Sequence, residues 1–454
     1  MSMFGASGDM GGPKGLKLSL IETLKQAWAD PDLRTRIIFI FTMFGVYVLG
    51  AHVPVPLPNV NHDALIAKLQ ENPMFQVMDV FGGGSIKRLS IFALGLNPYI
   101  TSSIIIQILT TAFPEWKKEL QEGGEYARKQ QNKRTRGLTL LLCGAQGWGL
   151  VQMLASASEG AMPQFALFTT LLFWAAGAFF VLWLGEQISE KGIGNGVSLM
   201  IFAGIVVSMP GLGAQMYDNI VDKQAMNWFQ AIALIAVFLS TTWFIVYFTS
   251  ALRQIPIQHM RRQVGTKVMG GKTNYLPIPV NTAGVIPIIF AISLVLMPAQ
   301  IASFFKVGVP IGDFFRNVAA YLSPGLDFPK GLVGILAYTV LIFFFTYFYT
   351  AIQYNVEDIS NNLKRAGSFI QGIRPGKQTK DFLDQVISRV TIAGALFLTV
   401  VALIQYIAPA VVGLDGSLNI FRVIGGTSLL IMVSVALETM RQIEANILMK
   451  QYNQ

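Results

Sequence analysis

The sequence predicts an all-α polytopic membrane protein with ten spanning helices. Three observations carry that prediction. Hydrophobic residues make up 53% of the 454 and charged residues only 13%, against a charged share of about 25% in an ordinary soluble domain. Apolar runs of about 20 residues, the length that a hydrocarbon core about 30 Å thick demands of a helix, recur from end to end. Lysine and arginine fall in alternate connections between those runs, and in a membrane chain that pattern reports orientation.

In chain order, residues 1–33 are polar and Gly-rich, with no continuous apolar core before Ile37. They read as a cytoplasmic N-terminal segment and not as a cleavable signal, and an amphipathic stretch from Leu18 to Trp28 suits the membrane interface. Spans are predicted at 34–51, 93–112, 137–156, 165–184 and 193–209, an N-terminal half over 34–209. An external connection, 210–227, leads to spans at 228–250, 282–304, 331–354, 390–408 and 422–438. These form a C-terminal half over 228–440, and 441–454 are a cytoplasmic tail. Between the first two spans, Phe75 to Leu89 holds three glycines and the pair Lys87-Arg88, too polar and too broken to cross. Irregular backbone is not tolerated in contact with lipid tails, so this stretch is either a re-entrant segment enclosed by protein or an exterior loop.

Orientation follows from the basic residues. The segment before and at the start of the first span (Lys14, Lys17, Lys25, Arg34, Arg36) and the second-to-third loop (Lys117 through Arg136) belong in the cytoplasm. So do the sixth-to-seventh loop, with Arg253, Arg261, Arg262, Lys267 and Lys272, and the eighth-to-ninth, with Lys364, Arg365, Arg374, Lys377, Lys380 and Arg389. The loops at 157–164 and 409–419 contain neither Lys nor Arg, as expected of segments that crossed the membrane. Both termini are then cytoplasmic. The last two basic loops are longer than topology requires and carry the turn Gly372-Ile373-Arg374-Pro375-Gly376-Lys377, suited to an acidic or RNA-bearing partner.

What the spans lack excludes several functions. Their interiors hold no Asp, Glu, Lys, Arg or His, charge being confined to span ends such as Arg422. A proton-coupled pump needs an ionisable group at depth. The polar groups inside are neutral: Asn97, Thr101, Ser102, Ser103 and Gln107 in the second span, Asn195 and Ser198 at the start of the fifth. Neither a ring of carboxylates nor a carbonyl filter is visible. Gly82-Gly83-Gly84 lacks the Lys-Ser/Thr ending of a phosphate loop. Cys143 is the sole cysteine and the histidines at 52, 62 and 259 are scattered, so neither an internal disulfide nor a metal cluster is expected, and no cofactor is implied. The rival readings are a secondary transporter with a neutral sodium site and a membrane-embedded enzyme; the first lacks intramembrane charge and the second a catalytic pair.

Ten spans divide into two sets of five, and because five is odd the halves would be inverted relative to each other, with a pore at their interface. The second span contains Asn97-Pro98 and the seventh contains Gly284 and Pro287. Proline removes a helix hydrogen bond and crowds the preceding turn, so both helices are predicted to kink or hinge.

The run Ile91-Phe92-Ala93-Leu94-Gly95-Leu96-Asn97-Pro98-Tyr99-Ile100, continuing to Ile104-Ile105-Ile106-Gln107, resembles the second helix of the SecY family, pore subunits of the bacterial protein-secretion translocase. Trp183 through Ile188 with Gly192 through Gly196, then Asn281 through Pro287, Gly372 through Gly376, and Gly425 through Ile431 extend a collinear resemblance over nearly the whole chain. It implies a protein-conducting channel in the bacterial cytoplasmic membrane: an hourglass pore closed at its waist by an aliphatic ring and blocked outside by a short plug helix. The ring falls on Leu96, Ile100, Val197, Ile201, Ile289 and Ile431, with Leu96 and Val197 standing where the family has Ile. Independently of the family, Leu96 and Ile100 are four apart, as are Val197 and Ile201, so each pair shares a helix face. The plug falls on 75–89, including Phe81, Gly82, Gly83, Gly84, Ser85, Ile86, Lys87 and Arg88.

The resemblance further implies a lateral gate between the second and third spans and the seventh and eighth, tuned by Thr101, Gln107 and Asn195, with Met297 at its apolar seam. The implied partners are the SecA motor and the ribosome on the basic loops, with Arg374 foremost, then Arg253, Arg261, Arg262 and Lys377. Small membrane subunits SecE and SecG, signal peptides and secretory polypeptides, and membrane lipid complete the set, with no direct DNA binding. Chemical energy would come from the SecA ATPase and not from this chain.

Overall fold

A computed structural model describes residues 20–56, 78–157, 163–221, 226–259, 262–264, 267–269, 273–305, 308–325, 330–413 and 425–453. Within them the chain forms α1 (Leu20–Ala29), α2 (Pro31–Ala51), α3 (Asn97–Ala112), α4 (Pro114–Glu122), α5 (Gly124–Ala157), α6 (Gln164–Lys191) and α7 (Gly196–Val221). After these come α8 (Trp228–Ser250), strands β1 (Leu252–His259), β2 (Arg262–Val264), β3 (Lys267–Met269) and β4 (Thr273–Pro279), and α9 (Ile286–Ser303). The remainder is α10 (Pro310–Leu322), α11 (Lys330–Gln353), α12 (Val356–Arg365), β5 (Ser368–Ile370), α13 (Lys377–Val411) and α14 (Thr427–Asn453).

Each of the ten predicted spans coincides with a helix: α2, α3, α5, α6, α7, α8, α9, α11, α13 and α14. Six of them, α2, α6, α7, α8, α11 (with the α12 segment that continues it) and α13, are long and apolar enough to cross a membrane by length and composition alone. The other four fall short for visible reasons. α3 and α9 have only 16 and 18 residues. α5 and α14 carry polar extensions in the same rod, Lys129 to Arg136 in one and Arg441 to Lys450 in the other. The last predicted span and the tail are therefore one helix, and the predicted connection 210–227 begins as a continuation of α7 around Pro210.

Both prolines expected to kink a span instead begin one. Pro98 lies at the start of α3 and Pro287 at the start of α9, where the missing N–H would have had no helical partner and the fixed φ already suits a helix. The residues just before, 93–96 and 282–285, are not α-helical, so the second and seventh spans start several residues later than hydropathy indicates.

Three apolar cores organise the bundle. One joins α2, α6, α7 and α14 around Leu184, Ile188, Met200 and Val435. A second joins α8, α9, α11, α13 and α14 around Ile245, Ile288, Ile342, Leu398 and Leu430. The third packs Cys143, Leu150 and Leu154 of α5 and Trp174 and Ala178 of α6 against Met78, Ile86 and Leu89. Outward-facing apolar side chains such as Phe229, Trp243, Leu336 and Val340 are exposed, as lipid-facing positions are in a membrane protein.

The two long basic loops are not the irregular connections that their composition suggests. β1 runs antiparallel to β4, with Ile255 opposite Leu276, and antiparallel to β5, with Ile257 opposite Ile370. The order β4-β1-β5 thus stitches the sixth-to-seventh loop to the eighth-to-ninth. One face of this sheet buries Ile255, Ile278 and Ile370 with Val356 of α12 and Leu383 and Ile387 of α13, the alternation expected of a half-buried strand. The spanning body is all-helical, and this small sheet is added to it.

Candidate functional site

The six positions predicted for the ring meet in one apolar cluster. Leu96, Ile201 and Ile431 are buried members of it, at 7%, 5% and 1% exposure, and Ile100, Val197 and Ile289 are partly buried side chains packed against that cluster, which also takes in residues of α1, α2 and α6. They arrive on four helices, α3 and α7 from the N-terminal set and α9 and α14 from the C-terminal set. A common local device starts each of these helices. A glycine with positive φ stands just ahead of it: Gly95 (φ 52°), Gly194 (φ 95°), Gly284 (φ 65°) and Gly426 (φ 55°). Left-handed backbone ends what precedes at little cost only for glycine, so each helix begins abruptly and sets its aliphatic side chains near its own first turns. Ile100 donates its N–H to the carbonyl of Leu96 at 2.9 Å, closing the first turn of α3.

The described segment at 78–89 is largely buried against the rest of the protein, with Phe81, Gly84, Lys87 and Arg88 half-buried. Met78, Asp79, Val80, Gly82, Gly83, Ser85, Ile86 and Leu89 are buried; residues 75–77 of the predicted plug fall outside the described residues. Only 78–81 form a helical turn, because Gly83 and Gly84 turn left-handed at φ 71° and 76° and cannot continue a right-handed helix. Val80 and Phe81 belong to the same apolar cluster as the six aliphatic positions. Ser85 donates to the Gly82 carbonyl and Arg88 Nη1 donates to the Gly83 carbonyl at 3.3 Å. The backbone itself rests on α7, where a Cβ at Gly204 would collide with the Phe81 carbonyl oxygen.

The predicted gate seam is likewise assembled from both sets of helices. α9 packs against α3 and α5, with Leu296 and Ala299 set into the core that α5 and α6 build. Met297 is half-buried on the same helix. Across this seam Gln146 of α5 donates to the side-chain oxygen of Gln300 of α9 at 3.5 Å, a pairing that sequence reasoning missed; a polar side chain on each of two apolar helices is its only trace in the sequence. Thr101 and Gln107 are half-buried, Thr101 bonded to the Asn97 carbonyl at 3.0 Å. Asn195 has another use: its Oδ1 accepts from the N–H groups of Val197 and Ser198 at 3.1 and 3.3 Å, capping α7.

The basic residues predicted to meet a partner divide in three. Arg374 is exposed on the turn after β5, Lys377 is exposed at the start of α13, and Arg253 is exposed on β1, so the β1–β5 pairing places both loops in one folded unit. Arg261 falls outside the described residues. Arg262 opens β2, opposite Met269. The turn is firmly held: Thr379 donates to the Arg374 carbonyl and Ser360 to the Gly376 carbonyl, both at 2.9 Å. Lys380 pairs with Glu357 at 2.9 Å, and that hydrogen bond raises the Lys380 ammonium above its ordinary range.

Helices from two sets, sharing one apolar cluster with a folded piece of the same chain, make the architecture of a membrane channel. The SecY family model matches residues 90–440, and the chain belongs to that family. It is 40% identical over 441 residues to the protein translocase subunit SecY of Aquifex aeolicus, covering 95% of this chain and 98% of that one. To the SecY subunit of Thermotoga maritima it is 39% identical over 442 residues, covering 95% and 96%. The fold is shared with a solved protein-conducting channel at a TM-score of 0.62 and 18% identity, over 89% of this chain and 90% of that one. It is shared also with Sec61 in a canine ribosome-channel complex from the endoplasmic reticulum, at 0.57 and 17%, over 89% and 90%.

Proposed function

We propose that this protein-conducting channel passes unfolded polypeptides through the constriction of Leu96, Ile100, Val197, Ile201, Ile289 and Ile431, with 78–89 as its plug. The reading is supported by the membership of those six side chains, from four helices, in one apolar cluster with Val80 and Phe81. A narrow apolar waist sheds water when empty and so hinders ions. It also offers a passing peptide no hydrogen bonds that would trap it. Apolar signal sequences leave sideways into lipid between α3 and α5 on one side and α9 and α11 on the other, driven by about 0.8 kcal/mol per buried methylene. The Gln146–Gln300 contact closes that route at rest.

In this reading the channel sits in the bacterial cytoplasmic membrane with both termini in the cytoplasm, where the basic residues lie. The SecA motor and the ribosome dock in turn on the unit built by β1, β4 and β5, with Arg374 and Arg253 as contacts. SecE and SecG are the small membrane subunits, and ATP hydrolysis belongs to SecA. Crosslinking tests the path. Cys143, the only cysteine, is buried, so it is first replaced by Ser and single cysteines are placed at the six ring positions and at Phe229, an outward position 82% exposed. A stalled secretory precursor should crosslink to the ring and not to position 229. Crosslinks spread equally over both would refute the proposed path.

A further inference from the structure

We propose that Asp79 is the positioning residue that holds 79–88 together as one folded unit, so that the plug leaves and re-enters its seat as a body instead of unravelling. The inference rests on the plug reading above and deepens it. Asp79 is 3% exposed, and a buried carboxylate without partners is strongly destabilising. Its partners all come from farther along the same segment. Oδ1 accepts from the backbone N–H of Ile86 at 3.0 Å and of Lys87 at 3.1 Å, and Lys87 Nζ lies 3.5 Å from Oδ2.

The other polar groups of the segment close inward in the same way. Gly84 N–H reaches the Asp79 carbonyl at 2.7 Å and Ser90 N–H reaches the Ser85 carbonyl at 2.9 Å, beside the Ser85–Gly82 and Arg88–Gly83 contacts. Outward side-chain contacts are apolar: Val80 and Phe81 in the cluster that also holds the six aliphatic positions, Met78, Ile86 and Leu89 in the core of α5 and α6. The backbone tie to the first span sits at the far end, where Val55 N–H meets the Leu89 carbonyl at 2.8 Å and Ile91 N–H meets the Val53 carbonyl at 3.0 Å. A unit whose polar groups are satisfied internally leaves its pocket by giving up apolar contact only. One that unravelled would strand buried donors and acceptors at each opening. Asp79 decides between these, because the side-chain ties from the helical turn at 78–81 to the strap at 86–87 all run through its carboxylate.

The test uses the full complex reconstituted in planar bilayers, with Asp79→Ala, Asp79→Asn, Lys87→Met and a deletion of 78–89, read by resting ion conductance and by hydrogen exchange of the peptide spanning 79–88. Asp79→Ala should speed exchange in that peptide roughly tenfold, the factor set by about 1.4 kcal/mol, leave exchange in α3 and α7 unchanged, and raise resting conductance. Asp79→Asn, which keeps the oxygen that accepts from Ile86 and Lys87, should recover most of the protection. Lys87→Met should give an intermediate loss, and it serves with Asp79→Asn if the alanine variant does not assemble. Deletion that leaves conductance unchanged would sink the plug reading itself. Deletion that leaks, beside point variants with native exchange and conductance, would overturn the latch alone. Faster exchange throughout the helices would also overturn it, since Asp79 would then be a general stabilising residue.

Discussion

At Gly204 a side chain has no room: a Cβ would meet the Phe81 carbonyl and crowd the Tyr47 hydroxyl, so the close approach of α7 to the plug depends on one missing methyl. Gly204→Ala should push 81–83 off α7, at about 1–3 kcal/mol by the usual cost of overpacking, and raise resting conductance. Gly211→Ala, on the same helix with open space around it, should leave conductance at the wild-type level, and equal behaviour of the two variants would remove the seat. The ring makes a second residue-scale prediction. Ile100→Asn with Ile201→Asn places two amides in the apolar cluster and lets water wet it, so ion leak should rise by roughly tenfold and signal-sequence selection should relax. Wild-type conductance in the double variant would argue against the constriction.

Among the elements, the sheet β4-β1-β5 converts two loops that are distant in sequence into one unit on a shared apolar floor of Ile255, Ile278, Ile370 and Leu383, the unit on which the proposed docking rests. Arg374 is exposed on the turn after β5, outside that floor. Arg374→Glu should therefore change folding stability by no more than about 0.5 kcal/mol, while abolishing motor-dependent export and sparing membrane insertion of the chain itself. Normal export by that variant would dismiss the docking role. Polar residues rarely show their part until helices pack: Asn195 caps α7, whereas Gln146 reaches Gln300 on another helix.

Over the whole molecule, the first and last described helical segments are clasped together. Lys450 on α14 bonds Asp30 and Asp32 at 2.8 Å each, between α1 and α2, and the hydrogen bond from Lys450 lowers the Asp30 pKa. α1 buries Thr23 and Ala27 and turns Leu24 and Trp28 outward, at 50% and 55% exposure, which suits an amphipathic helix lying at the membrane surface. Lys450→Ala should loosen α1 and speed trypsin cleavage at Lys25, with the thermal midpoint of the bundle unmoved. A shift of that midpoint instead would mean that the clasp supports the core.

Apolar runs along the chain were enough to locate ten helical segments, six of them complete spans by length and apolarity, which are local properties; family resemblance named the six aliphatic candidates, and four-residue spacing supported two pairs of them. Features that depend on distant neighbours emerged with the folded chain. Pro98 and Pro287 start helices because left-handed glycines ahead of them end the preceding chain. Gly204 and Asp79 matter because a carbonyl, two N–H groups and an ammonium from other turns come to them. Hydropathy reads one residue at a time along the chain, whereas burial, hydrogen-bond satisfaction and steric fit belong to pairs of residues that only the folded chain brings together.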